Sequence, residues 1–230
     1  MIKLSPRLQA IAALVQPGAA LADIGTDHAY LPIYLVEQGI TPRAIAVDVH
    51  RGPYESALAQ VKARNLAEKI AVRLGDGLEP VSPGEAQVAV LAGMGSSTIQ
   101  GILERSPQVV SRLQQLVLQP MVGAANVRRW LTEHNWRIAA EELVADDGII
   151  YVIISAVQGR QSITDWLALE LGPVILNNRP PLLVPYAEKM LEDMCKIVSS
   201  LEQAESLEVR QRKIELQEKI KLLEGVLACR

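Results

Sequence analysis

The chain of 230 residues carries 23 Lys and Arg against 26 Asp and Glu, a net charge of -3. A general polyanion binder would be clearly basic, so any nucleic-acid contact must come from local patches. With 49% hydrophobic residues, 3% aromatic and no Phe, the core must be built from Leu, Ile, Val and Ala, and base-stacking platforms are disfavoured. Cys195 and Cys229 have no metal-ligand spacing, which predicts neither a zinc site nor a disulfide framework. The opening Met-Ile-Lys-Leu-Ser-Pro-Arg is not a signal peptide, and no apolar run is long enough to span a bilayer. The expectation is a cytoplasmic protein with no metal and no membrane partner.

Ser5-Pro6 starts a helix that stops at Pro17-Gly18. Leu21 to Ile24 reads as a first strand, Tyr30 to Gln38 as a helix, and Ile45 to Val49 as a second strand. Pro53 to Asn65 has helical spacing at Ala57, Leu58 and Val61. Ile70 to Leu74, Val88 to Ala92 and Leu116 to Leu118 are further strands, followed by Gly75-Asp76-Gly77, Gly93-Met94-Gly95 and Gln119-Pro120. Continuous apolar strands alternating with helices predict a parallel sheet covered on both faces. Trp136 to Val144 and Ile149 to Ala156 flank Asp147-Gly148, a strong hairpin signal.

Beyond Gly159 the character changes. Ile163 to Leu171 reads as a short helix, followed by a Pro-rich irregular stretch. Met190, Met194, Ile197 and Leu201 form one apolar seam; Leu216, Ile220, Leu223 and Leu227 form another. With a turn at 204–206 they predict an antiparallel helical hairpin. It serves as a packing appendage, a substrate clamp or a dimerisation arm. The domains expected are 1–158, an α/β Rossmann-like domain, and 159–230, a helical coiled-coil domain.

Asp23-Ile24-Gly25 ends the first strand, and Asp48 ends the second. A glycine there lets backbone approach a ligand, and an acid at the second position accepts from ribose hydroxyls. The same residues also suit a plain strand–turn–helix with a solvated strand end. Asp76 can meet a nucleobase or simply make an Asp-Gly turn. Gly93 and Met94 end the fourth strand, where open sheets bind ligands. Asp27, His28 and Tyr30 crowd the same rim; their bland alternatives are a helix N-cap, a capping histidine and core packing. Lys3, Arg7, Arg128 and Arg129 are candidate phosphate contacts, or solvated helix faces.

A parallel sheet that ends in an antiparallel hairpin is the arrangement of class I methyltransferases; dinucleotide-binding sheets end in another parallel strand. The chain resembles the TrmK family of bacterial tRNA (adenine-N1)-methyltransferases. The matching residues are Leu4-Ser5 with Arg7, Ala22 to Pro32 (Ala-Asp-Ile-Gly-Thr-Asp-His-Ala-Tyr-Leu-Pro), Gly52-Pro53 with Ser56-Ala57, and Val72 to Gly77. Ala92-Gly-Met-Gly95, Leu118-Gln-Pro120 and Asp147-Gly148 with Ile150-Tyr151 match as well. The likeness covers about residues 3–158. Thr26 stands where the family usually has Ser, Asp48 where Glu is frequent, His50 for Asn, Ser96 for Gly and Met121 for Asn.

The resemblance implies an enzyme that uses S-adenosylmethionine (SAM) to methylate N1 of adenine 22 in tRNA. It implies that Asp23, Gly25, Asp48, Val49, Asp76, Gly77, Gly93 and Met94 hold SAM. It places Asp27, His28, Met94 and Gln119 with Pro120 on the target-base side, and Asp27, His28 and Tyr30 are the candidate catalytic residues. The rival readings are a SAM enzyme acting on another RNA or a small molecule, and a nucleotide-dependent oxidoreductase. A monomer or weak homodimer is expected.

Overall fold

A computed structural model describes residues 2–201 and 206–228. Cys229 and most of the turn expected at 204–206 lie outside the described residues. Two compact units are present, Met1–Ile163 and Thr164–Arg230.

The first unit begins with α1 (Pro6–Leu14), whose first turn is capped by the Ser5 hydroxyl accepting from the Leu8 amide at 3.4 Å. There follow β1 (Leu21–Ile24), α2 (Tyr30–Glu37), β2 (Ala44–Asp48), α3 (Arg51–Ala63), β3 (Ile70–Leu74) and β4 (Val88–Gly95). The unit continues with α4 (Ser96–Arg105), α5 (Pro107–Val110), β5 (Gln115–Val122), α6 (Ala124–Glu133), β6 (Trp136–Asp146) and β7 (Ile149–Gln158). The sheet order is β3-β2-β1-β4-β5-β7-β6. The first five strands in this row are parallel, while β7 runs antiparallel to both β5 and β6. Every residue of β1 and β2 is buried, as expected for strands sandwiched between helices. The chain builds outward from β1 to β3, then returns to place β4 on the other side of β1. That reversal opens a crevice at the carboxyl ends of β1 and β4.

The hairpin forms as the sequence predicts. Asp147 and Gly148 both have positive φ (49° and 77°), the two left-handed residues that a tight β6–β7 turn requires. Helices α4, α5 and α6 carry no clear signal in the sequence. α4 buries only Ile99, Ile102 and Leu103 among its apolar positions, and its first turn is Ser-Ser-Thr, so the periodic signal is thin.

Arg128 corrects the sequence reading most directly. It sits on the buried face of α6 with Val127 and Leu131 and has 0% side-chain exposure. Its Nε donates to Glu141 Oε1 at 2.7 Å, and that carboxylate on β6 is equally buried. Arg128 is therefore an internal ion-pair partner, out of reach of any phosphate.

In the second unit α7 (Trp166–Leu171) starts three residues later than expected, because Asp165 caps it by accepting from the Ala168 amide at 2.8 Å. A short α8 (Pro173–Asn178) precedes α9 (Leu183–Ser200) and α10 (Leu207–Ala228), which pack on each other. Arg179, just before α9, donates to the Val226 carbonyl near the end of α10, so the two helices run in opposite directions. Leu216 and Leu223 are buried as the second seam requires. In the first seam Ile197 is 47% exposed, and the neighbouring Val198 is the half-buried residue.

The Arg128–Glu141 pair yields a test. Arg128→Met should strand a buried carboxylate and lower the unfolding free energy by about 3–5 kcal/mol in urea titrations. A loss below about 1 kcal/mol would mean that the pair is solvated.

Candidate functional site

The crevice holds a cleft of about 350 Å³ lined by Gly25, Asp48, Val49, Asp76, Gly77, Gly93 and Met94, all singled out from the sequence. His50, Gly75, Thr98 and Ile102 join them. Thr98 and Ile102 are four apart on α4; placing a helix after Gly-Met-Gly would have put both on the face toward the cleft. Gly25 has a φ of +74°, and a Cβ there would lie 2.5 Å from the Met94 Cε. A thioether methyl can swing aside, so the left-handed backbone is the firmer demand for glycine. The result is a floor of bare main chain.

Asp48 ties this floor to the neighbouring loop. Its Oδ1 accepts from the His50 amide at 2.8 Å, and its Oδ2 accepts from the Asp27 amide at 3.4 Å. Both oxygens retain further acceptor capacity, and Asp48 lines the cleft. Asp23 lies one layer behind, off the cleft lining, and accepts from the Thr26 hydroxyl at 2.6 Å. Burial pushes its carboxyl up from 3.8 to about 6; the Thr26 hydroxyl opposes the rise and the Asp48 charge adds to it. Asp76, about half exposed, is ion-paired to Arg105 on α4 at 2.9 Å. No local pattern marks Arg105, because the contact joins residues far apart in sequence.

The rim brings Asp27, His28 and Tyr30 together. Asp27 has a φ of +49°, and its side chain is 67% exposed. It does not cap α2, whose N-cap is Ala29. Its Oδ1 lies 3.5 Å from His28 Nε2, while His28 Nδ1 meets the Ser56 hydroxyl at 2.5 Å. The imidazole stacks on the Tyr30 ring at 5.1 Å. Tyr30 is exposed, so it is not a core residue.

Across the crevice, Gln119 is wholly buried. Its Oε1 accepts from Arg7 Nη1 at 2.6 Å and from the Gly93 amide at 3.0 Å. Pro120 is buried beside it. The Arg7 guanidinium lies 5.4 Å from the centre of the Tyr151 ring. Lys3 and Arg129 are exposed and do not line the cleft.

A larger cavity of about 610 Å³, lined by Trp130, His134 and Trp136 among others, lies at the opposite edge of the sheet. Trp136 opens β6 and Gln158 closes β7, beside the start of β5, so this cavity is far from the strand ends that carry the acids. Open α/β sheets bind ligands at the carboxyl ends of their strands, and the smaller cleft has that position. Among the described residues no group of three or more His, Cys, Asp or Glu could hold a metal ion. No described helix is long and apolar enough to cross a membrane.

The strand order and the glycine- and acid-edged cleft define a methyltransferase fold, and a family model described as a methyltransferase domain matches residues 4–154. Over 98% of both chains the protein is 34% identical to the Bacillus subtilis tRNA (adenine(22)-N(1))-methyltransferase. The crystal structure of the B. subtilis M1A22 tRNA methyltransferase TrmK superposes with a TM-score of 0.92 at 33% identity, covering 99% of this chain and 100% of that one. Streptococcus pneumoniae Sp1610 in complex with S-adenosyl-L-methionine superposes at 0.89 with 34% identity, covering 98% and 100%. The chain belongs to the TrmK family of tRNA (adenine-N1)-methyltransferases. The antiparallel β7 removes the oxidoreductase reading.

The raised Asp23 carboxyl makes stability depend on pH. Only the folded chain penalises its ionised form, so the penalty is absent at low pH and grows as pH rises from 3.8 to about 6. Asp23→Asn keeps an acceptor for Thr26 and should be more stable than the parent above pH 6, by up to about 3 kcal/mol. The two should converge below about pH 4 in urea melts at stepped pH. A constant difference across that range would refute the assignment.

Proposed function

We infer that the protein transfers the methyl group of SAM to N1 of adenine 22 in tRNA. The observation that carries this reading is Asp48: a buried carboxylate at the end of β2, facing a glycine-floored cleft at the sheet's reversal point. Its oxygens suit two vicinal ribose hydroxyls. Asp76 can accept from the adenine amine of SAM, and the Gly77 amide can donate to a ring nitrogen. Val49, exposed in the cleft wall, packs on the purine face. Gly25, Gly93 and Met94 bound the amino-acid and sulfonium end, with Asp23 fixing the loop through Thr26. When bound, SAM supplies an electrophilic methyl group.

What remains for the chain is placement. Adenine N1 has an in-plane lone pair, so no strong base is needed, and holding it in line supplies much of the rate. N1 lies on the pairing edge, so the base must leave its stack at a cost of a few kcal/mol. Asp27 can accept from the exocyclic amine and face the cationic product ring. The His28–Tyr30 stack forms the wall beside it. Lys3 and Arg129 remain candidate phosphate contacts. Residues 1–158 carry the chemistry, and 159–230 form a helical coiled-coil domain. We place the enzyme in the cytoplasm as a monomer or weak homodimer.

Incubation with labelled SAM and bulk tRNA should yield 1-methyladenosine on nucleoside analysis; label on another nucleoside would overturn the reading. Asp27→Ala should retain SAM affinity and lose most transfer, whereas full activity would remove Asp27 from the mechanism. Asp48→Asn, titrated calorimetrically, should bind SAM about tenfold more weakly or worse, the scale of a charge-assisted hydrogen bond. Unchanged affinity would reassign the ribose site.

A further inference from the structure

The exposed apolar side chains of the first unit are not scattered. Among its described residues the large ones are Tyr30, Val49, Leu74, Met121, Val122 and Ile149. All of them lie at one edge of the sheet. Leu74 closes β3, Met121 and Val122 close β5, and Tyr30 and Val49 follow β1 and β2. Ile149 opens β7, and because β7 runs antiparallel to β5 its start reaches the same edge. Singly exposed apolar residues need no explanation, but chance would spread them over the helices and both sheet edges. Their concentration around the mouth of a cleft marks a contact surface.

Three of them already have a place. Val49 lines the cleft, Leu74 precedes Gly75 of its lining, and Tyr30 stacks on His28. Met121, Val122 and Ile149 do not line the cleft, so the methyl donor does not cover them. Register sets them beside it. Gly95 pairs with Val122, which puts Val122 next to the Gly93-Met94-Gly95 turn. Leu118 pairs with Ile154, and that register carried four residues on brings Val122 level with Ile150, the neighbour of Ile149. The three extend the Met94 side of the cleft outward as an apolar ledge.

A nucleotide that leaves its stack uncovers the faces of its two neighbours. Those faces are flat and largely apolar, and leaving them in water adds to the cost of flipping. Proteins that hold unpaired nucleotides commonly cover such faces with aromatic rings. This chain is only 3% aromatic, so aliphatic side chains must take that part. The charge beside the ledge also suits RNA. Neither 92–103 nor 115–132 contains an Asp or Glu, and the second stretch carries the exposed Arg129. Asp146 and Asp147 lie on the hairpin side, which leaves the β5 side for the phosphates.

We propose that Met121, Val122 and Ile149 form an RNA-docking ledge that covers the base faces of the nucleotides flanking the target adenine. The proposal rests on the methyl-transfer reading above and adds to it a contact made by apolar area, not by charge.

The test uses the full-length protein carrying Met121→Gln, Val122→Thr and Ile149→Thr together. These changes make exposed side chains polar at nearly constant shape. Two substrates are compared: an intact tRNA, and one with abasic sugars in place of the nucleotides on either side of the target. Both carry the same phosphate charge. The triple variant should melt and bind SAM as the parent does, with KM for intact tRNA raised about tenfold. Its salt slope for tRNA binding should match the parent's, because an apolar contact releases no counterions. The parent should lose about tenfold in affinity on the abasic tRNA, whereas the triple variant should lose little more, since both changes remove one contact. Val122→Thr alone, at the most exposed of the three positions, should raise KM in the same direction by a smaller factor. A parent-like KM in the triple variant overturns the ledge, and so does an equal loss by parent and variant on the abasic tRNA. A parent dimer that the triple variant converts to a monomer, with tRNA affinity unchanged, makes the surface an interface between copies and overturns it as well. Should the unmutated protein bind SAM and yet methylate no tRNA, the function reading itself fails; normal methylation by parent and variants alike sinks only the ledge.

Discussion

The site is organised by the burial of one carboxylate. Asp48 ends a fully buried strand, so its charge must be met by partners, and the backbone supplies them: amides from the loop after β1 and from the loop after β2. One side chain thereby joins the two turns that frame the cleft. The left-handed Gly25 keeps that floor clear, and the returning β4 sets Gly93 and Met94 opposite it. Asp23 behind adds a second acid, whose carboxyl burial pushes up to about 6 against the opposing Thr26 hydrogen bond. Two buried acids in adjacent strands are expensive for a fold to keep without use. A ligand carrying hydroxyls and a positive charge would offset that expense.

The opposite wall follows the same logic with neutral groups. Gln119 links α1, β4 and β5 through one carbonyl oxygen, so the N-terminal helix is tied to the glycine turn of the cleft. The β6–β7 hairpin enters through Asp146, which accepts from the Arg7 amide, and through Tyr151 beneath the guanidinium. Elements outside the parallel core thus help to shape the cleft. The buried Arg128–Glu141 pair fixes α6 to β6 from the other side.

Much of this was legible because strand ends announce themselves. Apolar runs without polar alternation, each cut off by Asp or Gly, located β1 to β4 and all eight cleft-side candidates except for their depth: Asp23 is behind the cleft, not in its wall. The Asp-Gly hairpin needed no tertiary information either. What failed did so for lack of a third dimension. Arg128 and Arg129 are neighbours in sequence but point in different directions from α6, one against Glu141 and one to solvent. The Arg105–Asp76 pair bridges residues that no local pattern connects. Ile197 and Val198 are equally apolar, so the seam in α9 could be misplaced by one residue. Tyr30 looked like core and instead stacks on an exposed-edge histidine.

The most direct measurement is a crystal structure of the protein grown with S-adenosylmethionine. The account predicts the donor in the cleft between Gly25 and Gly77, both ribose hydroxyls within about 3 Å of the Asp48 carboxylate, and the methyl group turned toward Met94 and Gln119. A donor lodged in the Trp130–Trp136 cavity, or one in the cleft with its ribose facing away from Asp48, would contradict it.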